Sequence, residues 1–423
     1  MRQYNEYKDT GMAWLIKLPN HWEKRKLKYC FSERSEKNHP GEQMLCATQA
    51  QGVIPQSMYQ NRVVVVNKGF EGLKLVKVGD FVISLRSFEG GIEYAYYQGI
   101  ISAAYTILTP IEKQFTDYFK VLFKSLPFIQ LLQTCVTGIR EGQNINYPLL
   151  GRKFIPIPPL AEQEKIVSYL ESKTLCIDAY VRERERELQL LNELKEAEIA
   201  NVITRGLNPD VKMKDSGIPW IGIIPEHWEI RRLSQVSYEH FVSNKNIHHQ
   251  NLLSLSYGRI IRKDINTTEG LLPASFDTYQ VVEEGNIVLR LTDLQNDQKS
   301  LRVGLVKEEG IVTSAYICLG VLNDSIIPSY LYNTLHSYDI KKLFYSMGGG
   351  LRQNLNWQGL KKMDIPLPLI EEQYTIVAYI EGKCAKVNSL MAELEAEIEY
   401  LKEYKQKLIA DCVTGQINVQ SEI

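Results

Sequence analysis

The sequence predicts an α+β fold that is built twice: two tandem α/β domains, each followed by a long helix, with the two helices paired as an antiparallel coiled coil. Three observations predict it. The stretch KDTGMAWLIKLPNHW at 8–22 returns as KDSGIPWIGIIPEHW at 214–228. The stretch PIPPLAEQEKIVSYLESK at 156–173 returns as PLPLIEEQYTIVAYIEGK at 366–383. Each copy of the second motif opens a long run of helix-favouring residues.

The size and charge of the chain limit what it can be. With 423 residues and 44% hydrophobic content, the chain is long enough for two to four domains. Its net charge of -1 lacks the basic excess that a lone nucleic-acid binder usually carries. If the chain binds DNA, either its charges are segregated by face or partner subunits contact the phosphates.

The seven cysteines indicate a reducing compartment. They are odd in number, scattered, and form no C-x-x-C pair, which argues against a disulfide framework and against a zinc site. The N-terminal stretch MRQYNEYKDTG resembles no signal peptide, and no apolar run is long enough to span a bilayer. We expect a cytoplasmic protein.

The repeat defines four segments: a first globular domain at 1–157, a first spacer helix at 158–205, a second globular domain at 206–367 and a second spacer helix at 368–415. The borders of the two domains match well and their interiors match poorly, which indicates one scaffold with two different binding surfaces. Duplication followed by drift is the plainer alternative. Strands are predicted at 63–66, 80–85, 100–108, 287–291 and 311–319, and helices at 118–132 and 330–345.

The two long helices begin after prolines and end before glycines. Pro158, Pro159 and Pro368 resist helix, and acidic residues follow where the helix dipole favours them. Gly206 and Gly415 stand just beyond the ends.

Apolar residues recur in both helices at alternating three- and four-residue steps, which is a heptad seam. The seam residues of the first helix are Leu170, Ile177, Val181, Leu188 and Leu191. Those of the second are Ile380, Val387, Met391, Leu394, Ile398, Leu401 and Leu408. Two related helices that meet on a pseudo-dyad make an isologous contact, so an antiparallel pair is expected. The alternative is that each helix packs on its own domain.

A polar loop precedes the proline motif in each repeat, at 137–144 and 348–354. Arginine can pair bidentately with guanine, and glutamine or asparagine with adenine. The candidate DNA-binding residues of these loops are Arg140, Gln143, Asn144, Arg352, Gln353 and Asn354, and two strand-end arginines, Arg86 and Arg290, are added to them. A loop that merely turns the chain is the alternative. The paired His21–Trp22 and His227–Trp228 are interpreted as structural anchors.

No catalytic motif stands out. The sequence has no G-x-x-x-x-G-K-[ST] loop, no glycine fingerprint for an adenosyl cofactor and no Asn-Pro-Pro-aromatic tetrad of the kind that amino-methyltransferases use. It also has no metal-spaced histidine or acidic cluster. We expect a recognition protein rather than an enzyme.

The two bordering motifs, the duplication and the paired long helices resemble the specificity subunits of Type I restriction–modification enzymes. The resemblance covers essentially the whole chain, with Leu369 where the first motif has Pro159 and Ile370 where it has Leu160. It implies that each domain is a target recognition domain for half of a bipartite double-stranded DNA site, and that the coiled coil sets the gap between the halves.

The resemblance also implies partners. Two modification subunits would bind S-adenosylmethionine and methylate adenine N6, and motor–nuclease subunits would hydrolyse ATP with Mg. The chain itself would hold no cofactor. Two alternatives stay open: a non-DNA adaptor that bridges two proteins through its paired helices, and the specificity subunit of a related restriction system with a fused nuclease–methylase partner.

Overall fold

The computed structural model of the chain describes residues 3–59, 69–138, 144–246, 249–266, 275–296, 301–349 and 353–421. The chain forms two compact units. Unit 1 comprises Met1–Glu185 together with Ala396–Ile423, and unit 2 comprises Arg186–Glu395. The division passes through both long helices, so each unit contains one globular part and a portion of each helix.

The strands of unit 1 are short and antiparallel. In the described part they are β1 (Tyr7–Met12), β2 (Leu15–Pro19), β3 (Glu23–Lys26), β4 (Phe31–Arg34), β5 (Leu45–Thr48), β6 (Gly52–Pro55), β7 (Lys74–Val76), β8 (Phe81–Ile83), β9 (Glu93–Tyr94), β10 (Gly99–Ile101), β11 (Thr106–Pro110), β12 (Val136–Thr137), β13 (Asn144–Ile145) and β14 (Phe154–Ile157). The largest sheet has the order β4-β11-β8-β9, and β5 forms a hairpin with β6.

The strands of unit 2 repeat this arrangement. They are β15 (Met213–Asp215), β16 (Ile223–Pro225), β17 (Glu229–Arg232), β18 (Ser237–Glu239), β19 (Val242–Ser243), β20 (Leu253–Ser256), β21 (Arg259–Arg262), β22 (Gln280–Val282), β23 (Ile287–Leu289), β24 (Val303–Leu305), β25 (Gly310–Val312), β26 (Ile317–Val321) and β27 (Asp364–Leu367). The sheet β18-β26-β23-β24 corresponds to β4-β11-β8-β9, the hairpin β20-β21 to β5-β6, and β17-β27 to β14-β3. The predicted internal repeat is therefore confirmed.

Ten α-helices lie in the described residues. They are α1 (Ser87–Gly90), α2 (Thr116–Leu122), α3 (Leu126–Gln133), α4 (Tyr147–Leu150), α5 (Leu160–Arg205), α6 (Leu233–Val236), α7 (Pro328–Ile340), α8 (Leu343–Met347), α9 (Trp357–Leu360) and α10 (Ile370–Val413). The long helices α5 and α10 begin and end close to the predicted positions.

The two shorter helices predicted within the domains are each broken. The helix expected at 118–132 is two helices, because Ser125 is extended and Pro127 opens the second one without a backbone donor. The helix expected at 330–345 ends at Ile340, and Lys342 takes a left-handed conformation with φ of 59°. Apolar periodicity continues across both breaks, which is why the sequence alone predicted single helices.

Two predicted strands are likewise interrupted. The runs at 100–108 and 311–319 each contain a turn, closed by Tyr105 N–H to Ser102 carbonyl at 3.1 Å and by Tyr316 N–H to Thr313 carbonyl at 3.2 Å. The Ser102 and Thr313 side chains accept from backbone N–H groups two residues on, an arrangement that favours a turn over continued strand. The strands predicted at 80–85 and 287–291 are present and shorter, and 63–66 lies outside the described residues.

Each unit has its own core. In unit 1 an aromatic cluster fills the space between the main sheet and α2 and α3, with Phe31, Phe81, Phe119, Phe123 and Phe128 all buried. The core of unit 2 is more aliphatic and centres on α7. Both cores extend onto the long helices: Leu408, Cys412 and Val413 of α10 belong to the unit 1 core, and Ile199, Val202 and Ile203 of α5 belong to the unit 2 core.

Candidate nucleic-acid interface

A buried carboxylate fastens the start of α5 to the start of the chain. Glu162 Oε2 accepts from Trp22 Nε1 at 2.7 Å, and its Oε1 lies 2.6 Å from His21 Nε2. Tyr4 donates its hydroxyl to the same carboxylate at 3.1 Å, and burial raises the pKa of that phenol. The neighbouring Gln163 donates to the Pro158 carbonyl at 2.8 Å. The proline–EQ motif is therefore a structural fastener.

Unit 2 has the same fastener. Glu372 accepts from Trp228 Nε1 at 3.2 Å and lies 2.9 Å from His227 Nε2, and Gln373 donates to the Pro368 carbonyl at 3.0 Å. Both His–Trp pairs hold secondary-structure elements together, in agreement with their interpretation as anchors.

The C-terminal end of each long helix is fixed in the unit that contains the domain of the other repeat. In unit 1 Gly415 follows α10 with φ of 73°, and a Cβ there would lie 2.4 Å from Pro19 Cδ. In unit 2 Gly206 follows α5 with φ of 71°, and a Cβ would lie 3.2 Å from Trp228 Cζ2. Only glycine adopts this backbone at little cost in so close a contact.

Within unit 1 the two long helices are joined by polar pairs. Lys405 Nζ lies 2.6 Å and 2.7 Å from the two oxygens of Asp178, and Tyr180 donates to Glu397 at 3.1 Å. From Asp178 to Tyr180 along α5, the partner residue on α10 moves back from Lys405 to Glu397, so the two helices run antiparallel.

Within unit 2 the same relation holds. Lys195 Nζ donates to Asn388 Oδ1 at 3.1 Å, and Tyr379 donates to Glu198 at 2.6 Å. Lys195 and Lys405 are 210 residues apart, as are Asp178 and Asn388, so one contact occurs twice with an acid in unit 1 and an amide in unit 2. The predicted antiparallel pairing is confirmed in each unit.

The predicted seam residues are either buried or half-buried. Those that are buried are Leu170, Val181, Ile380, Leu394, Ile398 and Leu408. Those that are half-buried are Ile177, Leu188, Leu191, Val387, Met391 and Leu401. This burial fits a pairing seam, and the part that each side chain plays in it stays a prediction.

The candidate DNA-binding residues of unit 1 lie in adjoining segments. Arg86 is 78% exposed at the start of α1 and 3.8 Å from Glu89, and α1 packs against β13, which begins with Asn144. Asn144 is half-buried, and its carbonyl accepts from the Thr137 hydroxyl at 3.4 Å. Arg140 and Gln143 lie outside the described residues.

The corresponding segments of unit 2 also adjoin. Arg290 follows β23 and is half-buried, and the loop after it is held to Asn354, whose Oδ1 accepts from Asp293 N–H at 2.8 Å. Gln353 is half-buried with φ of 46°, and Arg352 lies outside the described residues. The Oδ1 atom of Asn354 thus has a structural role in holding this loop. That Asn354 also contacts a base stays a prediction.

Sequence reasoning missed the hairpin turns beside these segments. In unit 1 the turn between β5 and β6 exposes Gln49 and Gln51. In unit 2 the two-residue turn Tyr257–Gly258 has φ of 45° and 76°, and Tyr257 is 76% exposed. Glycine between two alternating strands is a hairpin signal that could have predicted the second turn. The first turn also ends at a glycine, Gly52 with φ of 75°, and the two turn sequences do not otherwise match.

The turn of unit 1 borders a groove. A cavity of about 640 Å³ is lined by Gln49, Gln51, Tyr59, Ser84, Arg86 and Glu93, among others. The structure thus brings one predicted residue, Arg86, together with the exposed glutamines.

The described residues give no support for a metal site or for a membrane-spanning helix. No group of three or more His, Cys, Asp or Glu side chains there could hold a metal ion. The helices in the same residues include none that is long and apolar enough to cross a membrane.

The two units share one fold and differ at their hairpin turns. The family model for the Type I restriction modification DNA specificity domain matches residues 225–400. The chain is similar to the specificity subunits of type I restriction–modification enzymes.

Two curated relatives are similar to this chain in sequence. The putative type I restriction enzyme MjaX specificity subunit of Methanocaldococcus jannaschii is 25% identical over 286 residues, which cover 66% of this chain and 62% of the relative. The type I restriction enzyme EcoBI specificity subunit of Escherichia coli is 24% identical over 336 residues, which cover 73% of this chain and 68% of the relative. The match thus spans less than two thirds of the archaeal protein.

Two solved structures share the fold. A chain from work described as the structural basis of complex assembly and conformational transition of the type I R-M system aligns with a TM-score of 0.67 at 16% identity, over 95% of this chain and all of that one. The HsdS subunit from Thermoanaerobacter tengcongensis aligns with a TM-score of 0.50 at 15% identity, over 95% and 98% of the two chains.

Proposed function

We propose that this chain is the non-catalytic, DNA-reading subunit of a type I restriction–modification complex. Each domain would read one half of a bipartite site, and the paired helices α5 and α10 would set the gap between the halves. One observation carries the proposal. The fasteners Trp22–Glu162 and Trp228–Glu372 are the same in both units, whereas the turns at Gln49–Gln51 and Tyr257–Gly258 differ.

Two domains joined by a pair of long helices are suited to bind a DNA site that has two separate halves. Once one domain is seated, the second half-site is presented at a high effective concentration. Each bidentate contact between a side chain and a base contributes about 1–3 kcal/mol of discrimination. Two small surfaces therefore suffice for a specific site.

The near-neutral net charge of the chain affects which subunits would contact the DNA phosphates. A chain with a net charge of -1 gains little from non-specific attraction to phosphates. Two adenine methyltransferase subunits that bind S-adenosylmethionine would supply those contacts and flip the target base. Motor–nuclease subunits that use ATP and Mg would complete the complex, which would act in the cytoplasm on double-stranded DNA.

Methylome sequencing tests the proposal. The chain is expressed with its methyltransferase subunits in a host without other adenine methylation, and a bipartite N6-methyladenine motif with a fixed gap is expected. The matched control replaces this chain with another specificity subunit that is active with the same methyltransferase. If the control methylates its motif and this chain produces none, the proposal is wrong. Similarity to type I specificity subunits favours this function over a non-DNA adaptor.

A further inference from the structure

A buried carboxylate lies beside the hairpin turn of unit 1. Two adjoining pockets, of about 410 Å³ and 640 Å³, share the turn residues Gln49–Gln51 and also share Glu93. The Glu93 side chain is only 3% exposed. A carboxylate so far from solvent is costly unless its oxygens are hydrogen-bonded.

Only one oxygen of Glu93 is satisfied. Its Oε1 lies 2.5 Å from Lys124 Nζ, whereas its Oε2 has no hydrogen-bond partner among the described residues. Lys124 also donates to the carbonyls of Gly90 at 2.9 Å and Gln49 at 3.2 Å. The lysine therefore has three acceptors, and the carboxylate keeps unused capacity to accept a hydrogen bond.

The fold does not need this carboxylate. Glu93 pairs with Val82 in β8, and the equivalent partner of Val288 in β23 is Gly304. A Cβ at Gly304 would lie 2.6 Å from Leu255 Cδ1 and 2.9 Å from a methyl carbon of Ile260. Unit 2 thus fills with aliphatic side chains the place where unit 1 has an acid. An acid that one copy of the fold omits is better explained by recognition than by stability.

We propose that Glu93 accepts a hydrogen bond from the exocyclic amino group of a nucleobase, adenine N6 or cytosine N4, in the half-site read by unit 1. The inference rests on the proposed function and deepens it. In the major groove adenine and cytosine present an amino donor where guanine and thymine present a carbonyl oxygen. A carboxylate accepts from the first pair and repels the second.

The surroundings of Glu93 suit this role. Lys124 offsets its charge, which would otherwise be repelled by the phosphates. Gln49 and Gln51 on the turn and the exposed Arg86 line the same groove and can contact neighbouring bases or phosphates. The carboxylate thus lies behind a rim of polar side chains that can position a duplex.

The test removes the amino group from the DNA. The motif is first determined by methylome sequencing, and duplexes are then made in which each adenine or cytosine of the motif is replaced in turn by an analogue without its amino group. Affinity is measured for the chain in complex with its methyltransferase subunits. At one position of the unit 1 half-site, the wild type is expected to lose roughly tenfold or more in affinity. Whether that base is adenine or cytosine identifies the donor.

Two variants connect the lost affinity to Glu93. The double variant Glu93→Leu with Lys124→Met copies the apolar character of unit 2 and leaves no unpaired lysine. It is expected to bind the normal duplex and the analogue equally and to accept guanine or thymine at that position. Glu71→Gln, which changes an exposed acid of unit 1 that does not line this groove, is the matched control and is expected to behave as wild type.

The outcomes separate the two proposals. If the wild type produces no bipartite motif, the proposed function fails. If it does produce one, but no amino-group deletion in the unit 1 half-site weakens binding, the role of Glu93 is refuted whether or not the variants fold. If the double variant assembles and keeps wild-type sensitivity to the analogue, another residue makes the contact.

Discussion

Units 1 and 2 are built with the same fasteners and differ beneath their hairpin turns. Unit 1 has the buried pair Glu93–Lys124 there. Unit 2 has Gly304 and the half-buried His336, which stacks on Tyr332 with ring centroids 5.5 Å apart. Neither Glu93 Oε2 nor His336 Nδ1 has a hydrogen-bond partner in the part of the chain that the structure describes. The framework contacts that the two units share thus leave the chemistry of this place free to change.

The largest effect is expected when one domain is exchanged, which tests whether the two domains act independently. Replacement of residues 1–157 by the equivalent part of another specificity subunit should change every base of one half-site and leave the other half-site and the gap intact. The reason is that the fasteners to α5 and α10 are shared by both units, whereas the surface is not. Methylome sequencing of the chimaera measures the outcome. A motif altered in both halves would contradict independent reading.

Glu93 and His336 should give the two units opposite responses to pH. Burial raises the pKa of Glu93 to about 6, from 4.5, so ionisation destabilises unit 1 as the pH rises from 4.5 to 6, by about 2 kcal/mol. Burial lowers the pKa of His336 to about 4, from 6.5, so protonation destabilises unit 2 as the pH falls from 6.5 to 4, by roughly 3 kcal/mol.

Denaturant unfolding of wild type, Glu93→Gln and His336→Phe across this pH range measures both effects. Relative to wild type, the first variant should gain stability as the pH rises, and the second should gain stability as the pH falls. Parallel pH profiles for all three proteins would show that neither group titrates as its burial predicts.

The smallest effect is expected in the long helices. Asp178→Asn converts the Lys405–Asp178 pair of unit 1 into the Lys–Asn contact of unit 2. Because the pair is partly exposed, the free energy of unfolding should fall by about 1 kcal/mol or less, mainly at low salt. Asn388→Asp is the reciprocal variant and should gain a similar amount. Equal stability at low and high salt for all three proteins would show that the ion pair contributes nothing.

The sequence predicted those parts of the fold that local pattern controls. Proline motifs and heptad spacing give α5 and α10 because helix boundaries and seams depend on neighbours within a few residues. The repeat then gave the antiparallel pairing through symmetry. The breaks at Ser125 and Lys342 were missed because apolar periodicity continues across them.

The candidate site was less predictable because its residues meet only in three dimensions. Glu93, Lys124 and Gln49 are distant in sequence, and no motif connects them. The comparison of Glu93 with Gly304 required strand registers, since the interiors of the two domains do not align by sequence. Arg86 was found because it follows a recognisable strand.

The contacts at the end of α10 can form only late during translation. Tyr118 in α2 donates to the Val413 carbonyl at 3.0 Å, a contact that spans 295 residues, and the same core includes Leu408 and Cys412. The core of unit 1 therefore lacks part of its packing until residue 413 has been translated. At about 5–20 residues per second this delay is roughly 15–60 s. During that time the nascent chain exposes an apolar face, so chaperone demand should be highest before α10 emerges from the ribosome.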